Sequence, residues 1–185
     1  MSDDKAISAK ERSQQLALER RAARLAAVQA LYQWEQTGAR PESVISEFST
    51  HRLGKAAENA DLPKADRKLF AELVRGVSAG VEELDDMLSA VLTDDWSVER
   101  LESILRAVMR CGAFELAHRQ DVPPKVVISE YLAVADAFFG EKETGMTNGV
   151  LDKLAQTLRP GELTAKGTPA KSTPAKGAGR GKTAS

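Results

Sequence analysis

Residues 20–38 read RRAARLAAVQALYQWEQTG. The larger apolar side chains of this segment recur at intervals of three and four residues: Leu25, Val28, Leu31 and Tyr32. That spacing places them on one side of an α-helix, where they can face a core. A glycine can end a helix in the left-handed conformation, which suits Gly38. The segment predicts a first helix that begins between Ser13 and Arg20 and ends at Gly38.

Helical spacing continues through most of the remaining chain. Six further helices are expected to begin near Glu42, Asp66, Val81, Ser97, Pro124 and Met146. The longest would be the one that opens at residues 94–97, where acidic and hydroxyl side chains suit a helix start. Residues 111–113, Cys-Gly-Ala, are small enough for a neighbouring helix to approach closely. No segment shows the period of two typical of strands. We predict an all-α fold of about seven helices.

The composition allows one globular domain with polar ends. The chain has 185 residues, of which 42% are apolar and 29% charged, a balance that supports a core. We predict a flexible N-terminal arm over residues 1–15 and a helical domain over residues 16–160. Residues 161–185 are rich in Ala, Lys, Gly, Thr and Pro. Such a segment buries too little apolar surface to offset its ordering entropy, so we predict a disordered tail.

The sequence does not suggest export or a membrane. A single cysteine, Cys111, cannot form an internal disulfide. No apolar run approaches the roughly 18 residues that a membrane helix needs. Residues 1–15 lack the apolar stretch of a secretory signal. We therefore expect a cytoplasmic protein that does not bind membranes.

Motifs for catalysis are missing from the sequence. It has no glycine-rich phosphate loop and no cluster with metal-ligand spacing. His118 follows Cys111 by two helical turns, ~10 Å along one helix, which is too far for a nucleophile and its base. We interpret Cys111 as a packing residue. The expectation is a protein that is not an enzyme and uses no cofactor, metal ion or small-molecule substrate.

Positive charge is concentrated at the two ends of the chain. Residues 1–24 carry six basic and four acidic residues, and residues 161–185 carry five basic and one acidic, within a net charge of −1. This asymmetry can serve contact with a polyanion. A basic tail can also serve solubility alone, so both interpretations of the tail stay open.

Three arginines at the first helix give a more specific signal. Arg20 and Arg24 are four residues apart and therefore on one side of the helix. Guanidinium groups suit phosphates because they stay charged and offer paired donors. The alternative is a solvated helix start in which Glu19 is the ionic partner. Charge alone does not decide between RNA contact and solvation.

Three segments resemble the NusB family of bacterial antitermination proteins. The first, residues 20–38, is similar to that family's arginine-rich entry into an A-x-Q-A-L-Y-x-W helix. The second, residues 114–130 (FELAHRQDVPPKVVISE), is similar to its D-V-P-x-K-V-x-I-x-E segment. The third, residues 148–155 (NGVLDKLA), is similar to its closing N-G-V-L-D helix. Residues 66–77 (DRKLFAELVRGV) give a weaker match. The resemblance spans residues 20–158.

The resemblance implies an all-helical fold of two subdomains, with the first helix against both. It implies binding to the boxA element of ribosomal RNA leader transcripts, together with NusE, which is also a protein of the small ribosomal subunit. It further implies a larger complex with NusA, NusG and RNA polymerase, in which transcription passes termination signals. The implied mechanism is recruitment, with no bond made or broken.

The resemblance also assigns contacts residue by residue. The expected RNA contacts are Arg20, Arg21, Arg24, Lys125, Lys142, Met146 and Asn148. The arginines match the arginine-rich motif, Lys125 and Asn148 match motif positions near the RNA-facing end, and Lys142 lies in a predicted loop beside them. Tyr32 matches an aromatic residue associated with the NusE surface. Its alternative is an aromatic residue of the core or of the contact between subdomains.

The chain departs from the family pattern just before Asn148. Many members have a lysine and an aromatic residue at the positions held here by Gly145 and Met146. Stacking of a base on an aromatic ring contributes ~1–3 kcal/mol, so we expect a different RNA affinity or element preference. The basic tail could compensate through nonspecific phosphate contacts. A tail deletion that changes neither RNA affinity nor its salt dependence would rule out that compensation.

Two other functions are compatible with a helical chain. A protein-interaction module would leave the arginines solvated and would bind no RNA, even with NusE. An RNA-modifying enzyme is the second, since NusB-like domains also occur fused to ribosomal RNA cytosine methyltransferases. The sequence continues about 27 residues beyond Leu158, which we expect to be too short for a domain that binds a methyl donor.

Overall fold

The computed structural model describes residues 8–53, 64–93 and 95–163. Within these residues it contains seven α-helices and no strand. The helices are α1 (Ala9–Thr37), α2 (Pro41–Glu47), α3 (Arg67–Ala79), α4 (Val81–Ser89), α5 (Ser103–His118), α6 (Pro124–Asp136) and α7 (Glu141–Leu158). A π-helical turn, Phe48–Arg52, extends α2, and a 3-10 turn, Val98–Arg100, precedes α5. The predicted all-α class is confirmed.

α1 is the longest helix, with 29 residues, and it joins the two parts of the fold. It packs on α2 and α3, and it also packs on α5 and α6, which in turn contact α7. Its buried side chains are mostly small: Ala23, Ala26, Ala27, Val28, Ala30 and Leu31. Because alanine adds little bulk, neighbouring helices can lie close to the α1 backbone. Leu25, which we expected to face the core fully, is only half-buried.

The two ends of α1 differ in how well they were predicted. Gly38 ends the helix with φ +63°, and its N–H donates to the carbonyl of Trp34, as predicted. The start lies earlier than expected, at Ala9. Ser8 Oγ accepts from the Glu11 N–H at 3.2 Å, and the Glu11 carboxylate accepts from the Ser8 N–H at 2.7 Å. This capping box stabilises the first turn.

The early start corrects the predicted arm. Residues 9–15 belong to α1, so the arm over residues 1–15 is not flexible throughout. Residues 1–7 lie outside the described residues, and so does the predicted tail from residue 164 onward.

Two glycines mark close helix contacts. A Cβ on Gly112 of α5 would lie 2.8 Å from Leu151 Cδ2 of α7, so only glycine fits without movement of Leu151. This confirms the close approach predicted for residues 111–113. A Cβ on Gly76 of α3 would lie 2.2 Å from the Phe114 ring. Gly76 therefore makes room for an aromatic ring of α5.

Two further helix starts were predicted wrongly. The helix expected at residues 94–97 begins instead at Ser103, because Leu101 has an extended ψ of 141° that interrupts the helical path. α7 begins at Glu141 rather than Met146. Its first turn is acidic, which suits the positive end of a helix dipole. No helix in the described ranges is long and apolar enough to cross a membrane.

Candidate nucleic-acid interface

Arg24 is part of the core rather than of the surface. It is 3% exposed. Its Nε and Nη2 donate to the two carboxylate oxygens of Glu115 at 2.7 and 2.9 Å. Its guanidinium also lies 6.0 Å from the ring centroid of Tyr131. The prediction that Arg24 contacts RNA is therefore wrong, because its guanidinium faces Glu115 and is not accessible to a phosphate.

The reason for this burial is Glu115. This carboxylate is fully buried on α5, and it also accepts a hydrogen bond of 2.7 Å from the Tyr131 hydroxyl. A buried charge is tolerated only when it is paired and hydrogen-bonded. Burial, and then the charge of Glu115, raise the pKa of Tyr131 well above its usual value, so the hydroxyl stays a donor. Arg24, Glu115 and Tyr131 tie α1, α5 and α6 together.

Cys111 lies near this group on α5 and is fully buried. Burial raises the pKa of its thiol, and the charge of Glu115 raises it further. A thiol that stays protonated and inaccessible is not a nucleophile. Cys111 is a packing residue, as interpreted from the sequence.

Arg21 lies nearly one turn before Arg24 and is half exposed. Its side chain is 53% exposed, and its Nε and Nη2 donate to the two carboxylate oxygens of Glu130 at 3.2 and 2.7 Å. The hydrogen bond to Glu130 raises the pKa of Arg21. Glu130 also lies 3.5 Å from Nη1 of Arg24. Arg21 is thus anchored to α6 along one edge of its guanidinium, while the rest of the group faces solvent.

Arg20 is exposed and lies where three elements meet. Its charge contributes to the lowered pKa of Asp121, which is held down chiefly by a hydrogen bond from Arg119. Asp121 belongs to the connection between α5 and α6. The carbonyl of Glu19 accepts from the Asp66 N–H at 3.0 Å, so the start of α3 is also adjacent. Two exposed cations of α3, Arg67 and Lys68, extend the basic surface here.

Lys125 lies at the same end of the bundle as Arg20. It is the second residue of α6 and is exposed. Five residues further along α6, Glu130 holds Arg21. The end of α7 lies beside the start of α6, because the Arg159 guanidinium donates to the carbonyl of Val122 at 2.8 Å. The structure therefore brings Arg20, Arg21 and Lys125 to one end of the bundle; we call these three residues the basic end.

The remaining predicted contacts lie along α7 and away from the basic end. Lys142 is exposed in the first turn of α7, not in a loop as predicted. It precedes Arg159 by nearly five turns, ~25 Å along the helix axis. Asn148 is exposed between these positions, whereas Met146 is half-buried and packs against the core. The structure does not gather all the predicted contacts into one compact site.

Tyr32 is 40% exposed, so it is not a core aromatic residue. It lines a surface groove of about 460 Å³ with Ile104 of α5 and Phe138 of the connection between α6 and α7. Gln36 and Arg52 are also in the lining. The groove lies between elements from both parts of the fold.

Sequence reasoning missed Glu115 and Glu130, the partners of the buried Arg24 and of the exposed Arg21. Glu115 lies between two apolar residues of the sequence, Phe114 and Leu116. A carboxylate within an apolar run was a signal that a buried cation pairs with it. Glu130 was quoted in the second resembling segment but received no role. Among the residues that the structure describes, no group of three or more His, Cys, Asp or Glu is placed to hold a metal ion.

Fold and site together define a class: an all-helical protein whose first helix presents an exposed arginine, Arg21, that is anchored to a glutamate of another helix. The chain belongs to the NusB family, whose model matches residues 21–156. It is 43% identical over 159 residues to the transcription antitermination protein NusB of Rhizobium leguminosarum bv. trifolii, covering 86% of this chain and 97% of that protein. It is 48% identical over 140 residues to NusB of Caulobacter vibrioides, covering 76% and 94%.

Solved structures show the same architecture. A NusB structure from T. maritima superposes with a TM-score of 0.64 at 26% identity, over 79% of this chain and 97% of that one. A second similar chain comes from a crystal structure of the antitermination factors NusB and NusE in complex with double-stranded RNA. It has a TM-score of 0.62 and 25% identity, over 74% of this chain and 96% of that one.

Proposed function

We propose that this chain is a transcription antitermination factor that binds the boxA element of nascent ribosomal RNA together with NusE. The observation that carries the proposal is the basic end, where Arg20, Arg21 and Lys125 are exposed in a member of the NusB family. Relatives named as antitermination proteins and a similar chain crystallised with NusE and RNA support it.

The proposed mechanism is recruitment without catalysis. The basic end binds phosphates, which fix the register of a single strand without reading its sequence. In this proposal the exposed Asn148 and the accessible part of Met146, both on α7, contact bases of the same strand, and Lys142 extends the path. A single strand can follow such an extended surface because its bases are unstacked and open to protein contact. The helical domain over residues 16–160 supplies these contacts, and the tail adds nonspecific phosphate attraction.

NusE would occupy the Tyr32 groove. A half-exposed tyrosine beside Ile104 and Phe138 offers both apolar area and a polar hydroxyl, which is the composition of a protein-binding surface. If RNA spans both proteins, each partner strengthens binding of the other by the same factor. The assembled pair then joins NusA, NusG and RNA polymerase in the cytoplasm.

Binding of a labelled boxA-like single-stranded RNA, at two salt concentrations and with or without NusE, tests this function. We expect salt-sensitive binding that NusE strengthens and that the R20A/R21A double variant weakens. Arg75→Ala is the matched control, since Arg75 is an exposed arginine paired with Glu42 and outside the basic end. Absence of RNA binding under all four conditions would contradict the proposal and favour a protein-interaction module.

A further inference from the structure

Glu130 connects a buried arginine to an exposed one. Its side chain is 11% exposed, and one oxygen, Oε2, lies 3.2 Å from Nε of Arg21 and 3.5 Å from Nη1 of Arg24. Its other oxygen accepts from Nη2 of Arg21 at 2.7 Å. Arg24 has its own bidentate partner in Glu115. The Glu130 carboxylate therefore lies between the fixed guanidinium of Arg24 and the exposed guanidinium of Arg21.

The contact uses only one edge of the Arg21 guanidinium. Arginine carries N–H donors on Nε, Nη1 and Nη2, and Glu130 takes one from Nε and one from Nη2. Among the described residues no acceptor takes the Nη1 donors or the second Nη2 donor, so these remain for a ligand. The Arg21 side chain is 53% exposed, so a ligand can reach it from solvent.

We propose that Glu130 is a positioning residue that holds Arg21 with its free edge toward a phosphate of the bound RNA. This inference rests on the proposed RNA-binding function. An unanchored arginine samples many rotamers, and that freedom is lost when it binds a phosphate. Glu130 removes this freedom before RNA arrives. Arg24, on the other side of the carboxylate, offsets the repulsion between Glu130 and the incoming phosphate.

The direction in which one substitution changes RNA affinity distinguishes positioning by Glu130 from a simple charge effect. Glu130→Gln removes a negative charge beside the basic end, so charge alone predicts tighter RNA binding. Positioning predicts weaker binding, by about two- to tenfold, which corresponds to the cost of immobilising one long side chain. In an Arg21→Ala background, E130Q should no longer weaken RNA binding, because the residue that Glu130 positions is gone.

Asp121→Asn is the matched control. It also removes one acid close to the basic end, but Asp121 bonds Arg119 and not Arg21. We expect D121N to leave RNA binding unchanged or to tighten it. Thermal unfolding of each variant shows whether it is folded at the assay temperature. If E130Q does not fold, Arg21→Lys replaces it, since lysine keeps the charge but cannot make the two-point contact; an unchanged affinity for R21K would then overturn the proposal.

The assay uses the full chain and the labelled boxA-like RNA with NusE present. Weaker binding by E130Q that disappears in the R21A background supports positioning. Equal or tighter binding by E130Q overturns it while leaving the RNA-binding function intact. Failure of the wild-type chain to bind RNA contradicts the proposed function itself, so the two failures are distinguishable.

Discussion

Arg24 and Arg21 lie on one helix, three positions apart, and each makes a two-point contact with a glutamate from another helix. Their side chains are 3% and 53% exposed, respectively. The same chemistry therefore has two outcomes. Where water is excluded, the ion pair stabilises the fold, and removal of one partner leaves an unpaired charge in the core. Where water has access, the pair orients a cation that remains available to a ligand.

The comparison shows that an arginine-rich motif is not uniform in function. Its members divide by the direction of each side chain from α1: Arg24 points toward α5, and Arg21 lies at the edge of α6. We expect the loss of stability to decrease from Arg24 through Arg21 to Arg20, whereas RNA affinity depends on the exposed Arg21 and Arg20. Four substitutions test that order, beginning with the residue that is most buried.

Arg24→Ala should have the largest effect. It would leave Glu115 fully buried without its cationic partner, which costs about 3–5 kcal/mol of unfolding free energy. Urea unfolding followed by circular dichroism measures the change. A loss of unfolding free energy below about 1 kcal/mol would show that the core tolerates the unpaired carboxylate. Arg24 would then not differ from Arg21 in its structural role.

Arg21→Ala should have a smaller effect on stability and a clear effect on binding. Glu130 would keep only its 3.5 Å contact with Arg24, and because Arg21 is half exposed we expect a loss of about 1 kcal/mol. RNA affinity should fall by about fivefold or more, since a charge-assisted phosphate contact is removed. Fluorescence anisotropy with labelled RNA measures this affinity, on protein shown to be folded. An unchanged affinity would show that Arg21 is not part of the RNA interface.

Arg20→Ala should leave stability unaltered and still weaken RNA binding several-fold. Arg20 is exposed, and its charge contributes to the lowered pKa of the nearby Asp121. Comparison of its unfolding midpoint and RNA affinity with those of R21A separates phosphate contact from anchoring. A destabilisation as large as that of R21A would mean that Arg20 has a structural role as well.

Arg75→Ala should change neither property measurably. Arg75 makes two short hydrogen bonds to Glu42, at 2.6 and 2.8 Å, but both side chains are more than half exposed. Solvent screening makes such pairs nearly neutral for stability. A loss of RNA affinity in R75A would extend the interface beyond the basic end, because Arg75 is paired and exposed like Arg21 but lies elsewhere on the surface.

The fold was predictable where its signals are local. The spacing of Val28 and Leu31 predicted the buried face of α1, and Gly38 predicted its end. The small residue Gly112 predicted a close helix contact, which α7 makes through Leu151. The earlier start of α7 was missed because the acidic turn after Gly140 was not weighed as a helix start. Such capping signals are also local, so better use of them would have corrected the helix boundaries.

The site was less predictable because its key pairings are long-range. Spacing in the sequence grouped Arg20 with Arg24 on one side of α1. Glu115, the partner that buries Arg24, is 91 positions away, and Glu130, the partner of Arg21, is 109 positions away. No periodicity within one helix contains that information. Arg20 and Arg21 are exposed, as an RNA contact requires, but the motif could not show that Arg24 faces the core.

The salt dependence of RNA affinity, compared between the wild-type chain and the R20A/R21A variant, tests the central claim most directly. Each phosphate contact with a single strand contributes a slope of about 0.7 in the logarithm of affinity against the logarithm of salt. We predict that the variant loses about 1.4 of this slope, two contacts' worth, while its unfolding midpoint falls only slightly. An unchanged slope would contradict the assignment of Arg20 and Arg21 to the RNA phosphates.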